Sequence, residues 1–202
     1  PLAAVLAPLF ERGFADRVRA KPADKQRIAF FENSALDSLN IDSLDTSIRY
    51  RMVRGGFLTQ PNYTYVPNID ELLPPGDDGP LIRQTFLIDL VLAWAVGSTS
   101  NSNTTTLVRD RVLLGNGVAQ MARHDSCSLA VTRAERAGHI TAGAVAYTDS
   151  FFPFDDGPRI LHDAGVKVIL ATEGGRRAQD VKDFCEDVGI LLLFILRGFY
   201  GH

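Results

Sequence analysis

The stretch VKVILATEGGRRAQDVKDFCEDVGILLLFIL, residues 166–196, decides the predicted fold. Two runs, 166–171 and 190–196, which are apolar except for Lys167, flank a segment of helical pattern. Continuous apolar strands joined through a helix are typical of a parallel sheet with both faces covered. A strand at 144–147 and a helix at 158–163 extend the same alternation upstream. The sequence therefore predicts an α/β fold with a largely parallel sheet covered by helices on both faces.

Residues upstream of this region predict a long helix and a hairpin. Residues 82–96 are apolar with helical spacing, and 106–114 favour a hairpin that turns at Arg109-Asp110. The glycines of Gly115-Asn116-Gly117 are expected to form a turn into a helix over 118–136.

The first 80 residues are less regular. A strand around 48–52 is interrupted at Gly55-Gly56, which predicts a bulge or a tight turn. Residues 61–80 hold five prolines and predict a long connection. We predict one domain over 1–202, of which 1–80 is the less regular part.

Composition and charge exclude several classes of protein. The 202 residues carry 21 Lys plus Arg against 24 Asp plus Glu, a net charge of −3, with 46% hydrophobic residues. This globular composition lacks the basic excess of a nucleic-acid-binding protein. The apolar run 87–96 is too short to span a bilayer and contains Asp89. Cys127 and Cys185 lack metal-ligand spacing and form no disulfide framework, so we expect a cytoplasmic protein with no metal site. From the charge and the hydropathy we expect neither a nucleic-acid partner nor a membrane partner.

Polar segments lie where the predicted strands end, which is where ligands bind in open α/β sheets. They are Ser102-Asn103, the group Gln120, Arg123 and His124, the run Asp-Ser-Phe-Phe-Pro-Phe-Asp-Asp-Gly at 149–157, Glu173-Gly174-Gly175, and 197–202.

Each of these segments also has a structural interpretation. Arg123 could face an anionic ligand or form an internal salt bridge, and the aromatic residues at 151–154 could line a slot for a flat heterocycle or fold back onto the core. Gly174-Gly175 could cradle an anion or form a tight turn. Asp149, Asp155 and Asp156 could supply an acid–base pair, or Asp155 could cap a helix.

The order of these motifs is more specific than any one of them. It resembles the formyltransferase domain of the phosphoribosylaminoimidazolecarboxamide formyltransferase / IMP cyclohydrolase family of purine biosynthesis. The motifs that carry the resemblance are Ser102-Asn103, Gly115-x-Gly-x-x-Gln120-Met121-x-Arg123, Ser150-Phe151-Phe152-Pro153-Phe154-x-Asp156-Gly157, Gly174-Gly175 and Arg197-x-Phe199.

The resemblance implies a fold and a reaction. The fold would be the second, C-terminal subdomain of the formyltransferase, which is three-layered and cytidine-deaminase-like but without zinc. The reaction would transfer a formyl group from 10-formyltetrahydrofolate to the 5-amino group of aminoimidazole carboxamide ribonucleotide (AICAR). The family also implies a homodimer with its active sites at the subunit interface.

The resemblance further implies two groups of site residues. The AICAR side would comprise Asn103, which orients the carboxamide region, with Arg123, Phe151, Arg197 and Phe199. The folate side would comprise His124, Pro153, Phe154, Asp156, Gly174 and Gly175.

Departures from the family keep a second hypothesis open. The family's catalytic Lys-His pair belongs to the first subdomain, and none of the four lysines here precedes a histidine. Arg176 follows the glycines where the family has a small or hydroxyl residue. The chain is therefore predicted to supply part of a formyltransferase site. The alternative is a non-catalytic module that binds nucleotide or folate, or that dimerises.

Overall fold

The structure is a computed structural model that describes residues 38–68, 72 and 78–195, with side chains from residue 82 onward in the first helix. The chain divides into two compact units, Pro1–Asn62 and Tyr63–His202.

The first unit contains an antiparallel hairpin. Strands β1 (Ile48–Val53) and β2 (Gly56–Pro61) pair across a turn at Arg54-Gly55, where Gly55 has a φ of 86°. A left-handed backbone of this kind favours glycine, so the predicted interruption of the strand is confirmed as a tight turn.

The second unit is built on a five-stranded sheet with the order β4-β3-β5-β6-β7. Its elements in chain order are α1 (Asp78–Ser98), β3 (Thr105–Arg109), β4 (Val112–Gly117), α2 (Arg123–Arg136), β5 (Val145–Thr148), α3 (Asp156–Asp163), β6 (Val168–Thr172), α4 (Ala178–Asp187) and β7 (Leu191–Ile195).

The predicted α/β fold is confirmed, and its sheet is mixed rather than largely parallel. Strands β5, β6 and β7 are parallel, as their apolar runs indicated, but β3 pairs antiparallel with both β4 and β5. The two-residue turn between β3 and β4 explains the first of these antiparallel pairs, since strands joined by so short a turn pair antiparallel.

That turn lies at Asp110-Arg111, one residue later than predicted. Both residues have positive φ, 54° and 64°. The carboxylate of Asp89 in α1 accepts hydrogen bonds from both backbone N–H groups, at 2.8 and 2.7 Å. These bonds satisfy the turn and explain why an acidic residue is buried in an apolar helix.

Helices cover both faces of the sheet, as predicted. On one face, Leu90 and Ala93 of α1 pack on Val108, Val145 and Tyr147. On the other face, side chains of α2, α3 and α4 form a second apolar cluster that includes Cys127, Leu161 and Val181. None of the described helices has the length and apolar character needed to cross a membrane.

The predicted glycine turn before α2 is wrong, because Gly115 and Gly117 lie in β4 and α2 begins only at Arg123. A Cβ at Gly115 would lie 2.1 Å from the carbonyl oxygen of Ala130, and one at Gly117 would lie 2.0 Å from that of Ser126. Both clashes are with helix backbone, so the glycines serve the close approach of α2 to β4.

We therefore expect Gly115→Ala to destabilise the second unit by about 2–3 kcal/mol, since backbone must move to admit the methyl group. Gly56→Ala is the control, because no atom lies within 4 Å of a Cβ there. Urea unfolding followed by circular dichroism and by the fluorescence of Trp94 measures both. Equal stability of the two variants would contradict this account of β4.

Candidate functional site

A cavity of about 540 Å³ opens where the end of β5, the start of β3 and the first turn of α2 meet. Its volume lies within the range of small-molecule sites. The lining residues are Asn103, Met121, Ala122, Arg123, His124, Ser150, Phe151, Pro153, Phe154 and Asp156.

The structure brings together seven of the eleven side chains and glycines that the sequence singled out. They are Asn103, Arg123, His124, Phe151, Pro153, Phe154 and Asp156. Gly174 and Gly175 lie behind this wall, and Arg197 and Phe199 lie outside the described residues.

A buried ion pair forms the floor of the site. Arg123 is the first residue of α2, and its side chain is 8% exposed. Nη1 donates to Asp149 Oδ1 at 2.5 Å and to Thr148 Oγ1 at 2.6 Å. A cation at a helix N-terminus is disfavoured by the helix dipole, so this arginine depends on the carboxylate beside it. The structure favours the internal salt bridge over a free, ligand-facing arginine.

The side chain of Asn103 is fixed by hydrogen bonds on both of its ends. Nδ2 donates to the carbonyl oxygens of Gln120 and Met121, at 2.9 and 3.1 Å. Oδ1 accepts from Arg123 Nη2 at 2.6 Å. Because both amide hydrogens are used and a carbonyl oxygen has two lone pairs, Asn103 can offer a ligand an acceptor but not a donor.

The three aspartates of the motif have separate surroundings. Asp149 is fully buried and does not line the cavity, which favours a structural role over the acid–base alternative. Asp155 precedes α3 without capping it and binds Arg159 at 2.5 Å, which lowers the pKa of its carboxyl. Asp156 lines the cavity and accepts from the backbone N–H of Gly157 at 2.8 Å.

His124 lies between two carboxylates at the cavity wall. Nε2 is 3.1 Å from Asp125 Oδ1, and Nδ1 is 3.5 Å from Asp156 Oδ2. The imidazole and the Asp156 side chain are each about half exposed, at 47% and 48%. Together they form a polar edge that is open to solvent on one side and to the cavity on the other.

Both predicted interpretations of the aromatic residues at 151–154 apply, because some of these rings line the cavity and one packs in the core. Phe152 is 3% exposed and belongs to the core, whereas Phe151 and Phe154 line the cavity. Arg177 stacks over Phe154, with 5.7 Å between its Cζ and the ring centroid.

The two glycines after β6, Gly174 and Gly175, pack against the ring of Phe151. A Cβ at Gly174 or Gly175 would lie 3.0 Å from the ring of Phe151, and both residues have positive φ, at 153° and 88°. The glycine loop therefore lies directly against this ring. This geometry favours the tight-turn interpretation, because the loop contacts an aromatic wall.

Nucleophilic cysteine and metal chemistry find no support in the described residues. Burial raises the pKa of the Cys127 thiol to about 11, and that of Cys185 likewise to about 11. Both thiols are therefore protonated at neutral pH. Within 38–68, 72 and 78–195, no group of three or more His, Cys, Asp or Glu side chains could hold a metal ion.

Sequence reasoning did not identify the residues that support the site. Thr148 and Thr104 bind the ion pair through a hydroxyl and a backbone N–H. An aspartate that directly follows a buried strand was the one available signal. Its partner Arg123 lies 26 residues earlier in the chain, and sequence spacing does not reveal a contact over that separation.

Comparison of the sequence with known proteins finds a matching family model and similar individual proteins. A family model described as the AICARFT/IMPCHase bienzyme matches residues 2–133. The bifunctional purine biosynthesis protein PurH of Cutibacterium acnes is 36% identical over 148 residues, which cover 71% of this chain and 28% of that protein. PurH of Chlorobium phaeobacteroides is 27% identical over 198 residues, covering 98% and 35%. The chain thus spans about a third of the length of these curated relatives.

Solved structures give weaker matches. The dCMP deaminase of cyanophage S-TIM5, in complex with dCMP and dUMP, has a TM-score of 0.39 and 15% identity, covering 65% of this chain and 99% of that chain. The diaminohydroxyphosphoribosylaminopyrimidine deaminase / 5-amino-6-(5-phosphoribosylamino)uracil reductase of Thermotoga maritima has a TM-score of 0.38 and 15% identity, covering 57% and 35%.

Proposed function

Because this chain belongs to the AICARFT/IMPCHase bienzyme family, we propose that it acts in purine biosynthesis and supplies one wall of a formyltransferase site. In that site a formyl group passes from 10-formyltetrahydrofolate to the 5-amino group of AICAR. The observation that carries the proposal is one cavity that joins a fixed amide acceptor, aromatic rings and a carboxylate.

Asn103 suits the nucleotide side of this reaction. Its Oδ1 keeps one lone pair after binding Arg123, and the amine of AICAR presents N–H groups as donors. An amide is not a base, so Asn103 would orient the amine and leave its proton to another group. Orientation of this kind matters because the reacting atoms must be held close together and aligned.

The Asp156 carboxylate suits the folate side. A pterin edge presents adjacent N–H donors, and an ionised carboxylate accepts two hydrogen bonds from such an edge. Phe151, Pro153 and Phe154 offer flat apolar surface for the ring system. His124 lies beside Asp156 and would contact the same ligand.

The transfer itself needs the movement of two protons. The amine nitrogen bonds to the formyl carbon and loses a proton, while the bond from that carbon to folate N10 breaks and N10 gains one. Since the 202 residues contain no Lys-His pair, we propose that a different part of the assembly moves these protons.

A non-catalytic binding or dimerisation module is the second candidate, and the missing Lys-His pair also favours it. Arg176, exposed directly after the glycine loop, is the other departure that supports it. Both candidates require ligand binding or self-association, and only the first requires formyl transfer in the complete assembly.

We also propose a homodimer, in which a second copy covers the apolar face of the β1–β2 hairpin. Alternate residues place Ile48, Tyr50, Met52 and Phe57 on one face, and all four are exposed, Met52 by 78%.

Tyr50→Ser/Phe57→Ser should shift sedimentation equilibrium toward monomer at a given concentration. A wild-type chain that stays monomeric at every concentration would contradict the dimer.

Removing the charge of Asp156 should weaken folate binding about tenfold, the size expected for one hydrogen bond to a charged group. Calorimetric titration with 10-formyltetrahydrofolate measures this for Asp156→Asn. Asp155→Asn is the matched control, because the neighbouring carboxylate binds Arg159 and does not line the cavity.

AICAR affinity should not change in either of these two variants. Equal loss of folate binding in both, or no loss in Asp156→Asn, would contradict the folate assignment.

A further inference from the structure

Asp149 holds the site together without lining it. It directly follows β5, its side chain is fully buried, and it is absent from the cavity wall. Oδ1 accepts from Arg123 Nη1 at 2.5 Å and from the backbone N–H of Thr104 at 3.1 Å. One carboxylate oxygen therefore binds both a helix side chain and the loop that leads into β3.

These two contacts converge on Asn103. Thr104 follows Asn103 in the chain, so its bond to Asp149 adds to the two backbone bonds between Asn103 and Gln120 that hold this segment. Arg123 donates its other terminal nitrogen, Nη2, to Asn103 Oδ1 at 2.6 Å. Asp149 thus acts on the backbone of Asn103 by one contact and on its side-chain oxygen by the other.

We infer that Asp149 is a positioning residue whose charge orients Asn103 toward the nucleotide amine. The identity of that ligand rests on the proposed function, whereas the link from Asp149 to Asn103 rests on the contacts alone. The charge matters because Arg123 is buried at the positive end of α2. Without an anion beside it, the guanidinium would move toward solvent and release Asn103 Oδ1.

The remaining bonds of the network do not replace Asp149. Thr148 Oγ1 also accepts from Arg123 Nη1, but a hydroxyl carries no charge to offset the guanidinium. Asn103 Nδ2 donates to the backbone carbonyls of Gln120 and Met121. These bonds cannot replace the hydrogen bond that Asn103 Oδ1 accepts from Arg123. Asp149 is the one carboxylate that the described residues place in contact with Arg123.

A double-mutant cycle tests this link. Calorimetric titration with AICAR would compare wild type, Asp149→Asn, Asn103→Ala and the double variant. We expect Asp149→Asn to weaken binding about tenfold, and the double variant to bind no more weakly than Asn103→Ala. Losses that add would overturn the inference, because two residues acting through one contact are not additive. Asp155→Asn should bind AICAR as wild type does.

A second readout does not need the ligand. The side-chain amide of Asn103 gives a pair of ¹⁵N-edited NMR signals in the free chain, assigned by their loss in Asn103→Ala. Asp149→Asn should shift or average them, and unchanged signals would overturn the inference. If the wild type binds no AICAR, the proposed function fails while these signals still decide the role of Asp149.

The variant Arg123→Met/Asp149→Leu covers the case in which Asp149→Asn does not fold. Replacing a buried ion pair by apolar side chains is often neutral for stability, whereas removing one partner is not. We expect the double replacement to fold, with the Asn103 amide signals displaced and AICAR binding reduced to that of Asn103→Ala. Wild-type signals in this folded variant would overturn the inference, since the contact from Asp149 to the Asn103 side chain runs through Arg123.

Discussion

The buried contact between Arg123 and Asp149 is the interaction on which the rest of the site depends. It neutralises a cation at the first residue of α2 and joins that helix to the end of β5 and the start of β3. An uncompensated charge in this place would be strongly destabilising. The cavity lies where these three elements meet, so one ion pair fixes both the floor of the site and the direction of Asn103.

Close packing of the second unit places Arg123 where Asp149 can reach it. Gly115 and Gly117 let α2 lie directly on β4, because either Cβ would meet helix backbone. Glycines also allow close packing behind the cavity wall, where Gly174 and Gly175 lie against the ring of Phe151. Close contacts at glycine thus set the position of α2 on β4 and of the Phe151 ring, which lines the cavity.

The sequence predicted local features well and long-range partners poorly. The apolar runs of β6 and β7 identified parallel strands because both of their faces are covered. Gly115 and Gly117 were assigned to a turn, since a glycine needed for close packing and one needed for a turn look the same in sequence. Seven of the residues named from the family resemblance line one cavity in the structure. The contact between Arg123 and Asp149, in contrast, is seen only in the folded chain.

A crystal structure of the chain with AICAR bound would show whether the ion pair between Arg123 and Asp149 positions Asn103 toward the nucleotide. We expect the nucleotide in the cavity, its 5-amino nitrogen within hydrogen-bonding distance of Asn103 Oδ1, and the contact between Arg123 and Asp149 intact. AICAR bound elsewhere, or Arg123 turned away from Asp149 to bind the nucleotide, would contradict it.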